Sequence, residues 1–218
     1  EHQQNQVKDS IVTDAERAKD GFSQTIETWK SQIAVALPSL RGVDQKKSKF
    51  LINNFVRSSN EFISFEILEA PSLRSTKFKS LGKGFNSNDK DRRWSGREPK
   101  KVARKIDSAV TLFLKKNIPR SKKSNKILIG SIAKKTKLPI MITAARFEIA
   151  GAKTVVWGVL TTWQTNLIKS LPKSRFVSSK VIDSKSKVFT SHDEQEMIFG
   201  RISRTKVAMK ALRAKTPS

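Results

Sequence analysis

The run from Leu138 to His192, LPIMITAARFEIAGAKTVVWGVLTTWQTNLIKSLPKSRFVSSKVIDSKSKVFTSH, limits the architectures open to this chain more than any other feature. Ile140 to Ile149 and Thr154 to Thr162 are rich in β-branched and aromatic residues, and the Ala-Gly-Ala-Lys segment between them supplies a turn, so the spacing predicts an antiparallel hairpin. The two-residue period of a strand puts Met141, Thr143 and Ala145 on one face and Ile140, Ile142 and Ala144 on the other. Leu167, Ile168 and Leu171 then fall at helical spacing within Thr165 to Leu171, and Pro172 ends that turn. Phe176 to Ile182, a polar turn opened by Asp183, and Lys187 to Thr190 read as a second hairpin.

Upstream, Ile11, Ala15, Ala18, Phe22, Ile26, Trp29, Ile33 and Leu37 recur at three- and four-residue steps, one stripe on a long helix from about Asn5 to Ala36 that Pro38 closes. At about 1.5 Å per residue such a helix is a rod on the order of 50 Å, longer than a domain of this size needs internally. Its C-terminal half is expected to pack on its own domain, and a parallel helix from a second copy is left open for the rest. A second helix is predicted over Gln45 to Ser58, with Phe50, Leu51, Phe55 and Val56 inward. Glu61 to Glu69 reads as a strand whose apolar face is Ile63, Phe65 and Ile67. Residues 71 to 99 are loop-rich, with a brief strand over Thr76 to Leu81. Val102 to Lys116 is an amphipathic helix stopped near Pro119, and Ile127 to Ala133 is a further strand.

A chain of 218 residues can bury a substantial core, and its 37% hydrophobic content is clustered in periodic segments, so a folded protein is expected. The formal charge of +25 is the usual footprint of an anionic partner. Lys and Arg are spread over nearly the whole chain without a zinc-finger spacing or an RNA-binding aromatic motif, so a solvated basic surface facing lipid or polyanion is favoured over dedicated nucleic-acid binding. With no cysteine, disulfides and thiol chemistry are excluded. No apolar run reaches the roughly 18 residues of a membrane span. Because the first residue is Glu1 and not Met, the chain reads as an excised fragment or processed product, with any membrane anchors of the parent lying outside it.

The order of elements is long helix, helix, strand, loop, helix, then three strands, an α+β arrangement in which an antiparallel PAS-like sheet follows an N-terminal helix. From Glu61 onward this order resembles the membrane-distal module of double Cache domains, the extracytoplasmic sensor regions of bacterial chemoreceptors, histidine kinases and nucleotide cyclases. FISFEILEAP carries the resemblance as first strand, KLPIMITAARFEIAGAKTVVWGVLTTWQTNLIKSL as last strands and closing helix, and SSKVIDSKSKVFTSHD as the opening hairpin of a second module. In that last segment the family has an aspartate, a glycine turn and a histidine; Asp183 and His192 stand in place, and Ser186 replaces the glycine. The resemblance implies a helical stalk over 1–58, a membrane-distal Cache module over 59–172 and, over 173–218, either an incomplete second module or an extension that folds back to complete the first sheet.

The same resemblance bears on the ligand. Cache modules that bind amino acids carry an Arg-x-Trp-Tyr motif and an aspartate at the end of the last strand. Arg92-Arg93-Trp94-Ser95 matches the arginine and tryptophan, Ser95 stands in the tyrosine's place, and Trp163 takes the aspartate's. Without that carboxylate an α-amino acid is not expected to be recognised in the family's usual way. The residues left predict a site for a small anionic metabolite: Arg92 or Arg93 as a planar fork of donors, Trp94 and Trp163 as walls, Thr143 and Thr161 as hydroxyls. Arg146, mid-strand, lies either on the wet face or in the pocket as a ligand contact, and the wet face is favoured. His2 and His192 have no nucleophile or metal partner in sequence, so neither catalysis, nor a metal, nor a cofactor is expected. The functional expectation is an extracytoplasmic, ligand-sensing domain of a bacterial transmembrane signalling protein, with a homodimer through its N-terminal helix left open; the alternative is a basic nucleic-acid or polyanion-binding protein.

Overall fold

The computed structural model describes residues 2–36, 45–86, 99–120, 127–148, 154–170, 180–182, 188–191 and 197–198. Helix α1 covers His2–Ala36 and α2 Gln45–Arg57; strands β1 (Phe62–Ala70) and β2 (Lys79–Phe85) follow, then α3 (Pro99–Asn117). Strand β3 (Ile127–Ser131), the single turn α4 (Ala133–Thr136), β4 (Ile140–Glu148) and β5 (Val155–Trp163) complete the main body. A short hairpin, β6 (Lys180–Ile182) and β7 (Val188–Ser191), comes last.

Strands β1 to β5 form one antiparallel sheet in the order β2-β1-β5-β4-β3, the PAS-like arrangement that the element order implies. The chain is therefore α+β, a long N-terminal helix followed by a five-stranded antiparallel sheet. β5 is central, and all nine of its residues are buried. Only a sheet covered on both faces needs such a strand, which is why VVWGVLTTW reads as a nearly continuous apolar run rather than an alternation. On one face, Val102, Ile106, Val110 and Leu114 of α3 pack against Ile142, Ala144, Trp157 and Val159. On the other, Ile26, Trp29 and Ile33 of α1 and Ile52 and Val56 of α2 pack against Phe65, Met141, Ala145 and Leu160. Each large apolar side chain buried in these layers contributes about 1.5–3 kcal/mol, less the entropy lost in ordering it.

Only the second half of α1 is held in this way. Val12 is 57% exposed, whereas Trp29 and Ile33 are buried. The inner face of α2 matches the sequence expectation at Val56 and departs from it at two positions: Ile52 points inward and Phe50 is 63% exposed. Ile52 is drawn to the sheet because β2 presents Gly82 and Gly84 there, leaving room for its side chain. Both glycines thus belong to a strand that starts and ends later than the predicted one.

β1 also departs from a plain alternation. Register shifts against β5 between Phe62 and Ser64, and against β2 between Ile67 and Leu68, let it bury Phe62, Phe65 and Ile67 on one face and Ile63, Leu68 and Ala70 on the other. β3 ends at Ser131 and Ala133 opens α4, whose end is marked by Lys137 in the left-handed region at φ 60°. After β5 the chain tightens into a 3-10 helix over Gln164–Ser170, and Leu167 enters the α1-side core. The β6-β7 hairpin is a separate two-stranded sheet, so among the described residues it does not complete the first one. Of the C-terminal helix suggested by the sequence, only residues 197–198 are described.

Candidate functional site

Register places the side chains that the sequence singled out. In the β4-β5 pair Ile142 lies opposite Thr161, Ile140 opposite Trp163 and Arg146 opposite Trp157, and this set shares the face covered by α3. Thr143 lies opposite Leu160, whose side chain packs toward α1 and α2. Thr143 and Thr161 are therefore on opposite faces of the sheet, and no single pocket on one face can use both. Thr143 is fully buried, and its hydroxyl has no hydrogen-bond partner among the described residues. Thr161 is engaged: its Oγ1 lies 2.6 Å from Ser64 Oγ on β1. Trp163 closes β5, as expected, and is 2% exposed within the α3-side core. Arg92, Arg93, Trp94, Asp183, Ser186 and His192 lie outside the described residues.

Arg146 is the correction that matters most. It was expected on a wet face, but it is only 6% exposed. The sheet has no wet face at this strand, since α1 and α3 sandwich β4, and the even-numbered phase of β4 carries Arg146 to the α3 side with Ile142 and Ala144. Directly across from it stands Trp157, fully buried, whose indole N–H has no acceptor among the described residues. The Nε–H of Arg146 and the indole N–H of Trp157, at one cross-strand position, are both donors that meet no hydrogen-bond partner among the described residues. In a medium that strengthens each charge-assisted hydrogen bond, such a pair suits a carboxylate or phosphate oxygen. Thr161 lies four residues farther along β5, about 13 Å by strand rise, so the donors' centre is at Arg146 and Trp157 rather than at the threonine.

Lys83 on β2 forms an ion pair with Asp107 on α3 and lies 4.0 Å from Glu66 on β1. The bridge joins β2 to α3, while at the other end Phe113 of α3 rests on Gly130 of β3, where a Cβ would collide with the ring. α3 thus crosses the sheet from edge to edge and roofs the donors. No group of three or more His, Asp or Glu side chains able to hold a metal ion is found among the described residues.

A separate groove of 730 Å³ lies between α1 and α2, lined by Gln24, Glu27, Val35, Leu51, Phe55 and Phe62 among others. None of the residues predicted from sequence lines it. Among the described residues its lining is mostly apolar and contains no cationic side chain, so its chemistry is unlike that of the Arg146 site.

No family model matches the sequence, and no curated protein matches it. Among solved structures the chain is similar to the extracellular domain of a proposed histidine kinase, at 12% identity and a TM-score of 0.46, over 97% of this chain and 83% of that one. A likeness at that level decides neither family nor function.

The signal for Arg146 and Trp157 was in the sequence all the same. VVWGVLTTW is apolar in both phases, which implies helices on both sides of the sheet and hence burial of any charge in the middle of the strand beside it.

Proposed function

We propose that this chain is a ligand-sensing domain whose sheet binds a small anionic metabolite on the side roofed by α3. The observation that carries the reading is Arg146, nine-tenths buried beside the fully buried Trp157. Burying a guanidinium is costly unless its donors are used, so such a position is held by function or by a dedicated structural partner. In this reading the Arg146 Nε–H and the Trp157 indole N–H supply two donors to the anion, and Arg92, Arg93 and Trp94 are proposed as further contacts. An extracytoplasmic location and a membrane-anchored parent, with a stalk over 1–58, a sensing module over 59–172 and the start of a second module beyond, belong to the same proposal.

The packing offers a route from ligand to output. β4 and β5 carry Arg146 and Trp157 on one face and hold α1 on the other through Met141, Ala145 and Leu160 against Ile26, Trp29 and Ile33. A ligand with different affinity for two arrangements of these strands would shift α1 relative to the sheet, and the free energy would come from that difference alone. A thermal-shift panel of acetate, succinate, citrate and inorganic phosphate tests the reading. One or more should raise the melting temperature of the wild type by about 5–10 °C at a hundred times Kd, as linkage requires for a chain of this size. Arg146→Met should abolish the shift and Arg146→Lys reduce it. No stabilisation of the wild type by any anion at saturating dose would refute the reading.

A further inference from the structure

The fold sorts the basic residues that look evenly spread in the sequence. On α3 the buried side chains Val102, Ile106, Ala109, Val110 and Leu114 define one face, and at 100° per residue Lys101, Arg104, Lys105, Lys115 and Lys116 fall together on the opposite, exposed arc. The stripe runs about 22 Å, at about 1.5 Å per residue. At its middle, between the two groups of cations, Leu112 is 50% exposed. α4 packs against α3 and adds exposed Lys134 and Lys135. The acid of α3, Asp107, lies off this arc and is paired with Lys83. On the opposite side of the sheet α1 exposes Asp9, Glu16, Asp20 and Glu27 among its bases, so the two outer layers differ in sign pattern.

We propose that the outer face of α3, with α4 beside it, is a docking surface for an anionic phospholipid membrane. Charge complementarity favours an anionic partner, and the composition of the stripe favours lipid over nucleic acid. A half-exposed leucine set among lysines is the pattern of a helix lying at a membrane interface, with stems and leucine at the acyl boundary and ammonium groups among the phosphates. Of the five cations named on α3 only Arg104 offers the planar fork suited to individual phosphates, and the arc carries no aromatic side chain on which a base could stack. The proposal does not depend on the ligand reading, because the donors of that site lie beneath α3 and the cations lie above it.

Co-sedimentation with neutral phosphatidylcholine vesicles and with vesicles containing phosphatidylglycerol tests it, with duplex DNA and single-stranded RNA as separate arms. The full chain should bind the anionic vesicles, not the neutral ones, and binding should weaken as salt rises. At about five-fold per basic residue near an anionic surface, Lys101→Gln/Arg104→Gln/Lys105→Gln should lower partitioning about a hundred-fold. The matched triple on α2, Lys46→Gln/Lys49→Gln/Arg57→Gln, should lower it at most about five-fold, and Leu112→Ser should weaken vesicle binding while leaving the weak adsorption to nucleic acid unchanged. These side chains are exposed, so circular dichroism should show every variant folded. Equal losses from the α2 and α3 triples would mean that the attraction is diffuse and would overturn the proposal. So would nucleic acid bound more tightly than anionic vesicles and insensitive to Leu112→Ser.

Discussion

At the scale of single residues, Ile52 fastens α2 to the sheet through two glycines. A Cβ on Gly84 would stand 2.8 Å from Ile52 Cγ2, 3.0 Å from Asn53 Oδ1 and 3.1 Å from the Ile52 carbonyl oxygen. Because one of these neighbours is backbone, the helix itself must move, and Gly84→Ala is expected to cost about 1–3 kcal/mol in urea unfolding. Adding Ile52→Ala should recover none or only part of that loss, since the carbonyl contact persists. A Gly84→Ala protein as stable as the wild type would show that α2 does not seat on β2 as described. Arg146 teaches a different lesson. Strand periodicity puts Arg146 in phase with Ile140, Ile142 and Ala144, as the structure has it, but the wet face was favoured for it. Phase is local and was legible; which faces are covered depends on helices far away in sequence, and only the unbroken apolar run of β5 hinted at it.

Elements were more legible than their contacts. The long helix, both later helices and the β4-β5 hairpin follow from periodicity, because each buries a regular stripe. β1 was harder, since its two register shifts move side chains between faces and a single alternation cannot describe it. β2 was displaced because glycines read as loop signals, whereas here they make space for a helix. The charge pattern was invisible for a similar reason: lysines scattered in sequence gather only once α3 is rolled into a helix and laid on the sheet. α1 divides into a packed half and an exposed half. Deleting residues 1–20 should therefore shift the melting temperature by less than about 4 °C, the equivalent of about 1 kcal/mol in a chain of this length. If that half forms a seam with a second copy, as proposed for the stalk, the deletion should also convert a dimer to a monomer in sedimentation equilibrium. A drop of 10 °C or more without change of mass would instead place those residues in the domain's own core.

Over the whole molecule, the sheet separates two surfaces of different kinds. Beneath α3 lie donors suited to an anion, and above it lies a basic face suited to an anionic membrane. Behind the sheet, α1 rests on the same strands that hold the donors. One arrangement could thus read a metabolite, sit at a membrane and move a long helix, provided that Arg146 and Trp157 do meet a ligand. The tryptophan gives a direct report. With four tryptophans in the chain, the indole N–H resonances can be resolved by nitrogen-15 NMR, and Trp157→Phe assigns one of them. Titration with whichever of acetate, succinate, citrate or phosphate stabilises the protein should move the Trp157 indole signal downfield as its proton gains an acceptor. In Arg146→Met the same titration should leave it in place. A stabilising anion that leaves the Trp157 signal unmoved in the wild type, while shifting that of another tryptophan, would contradict the account.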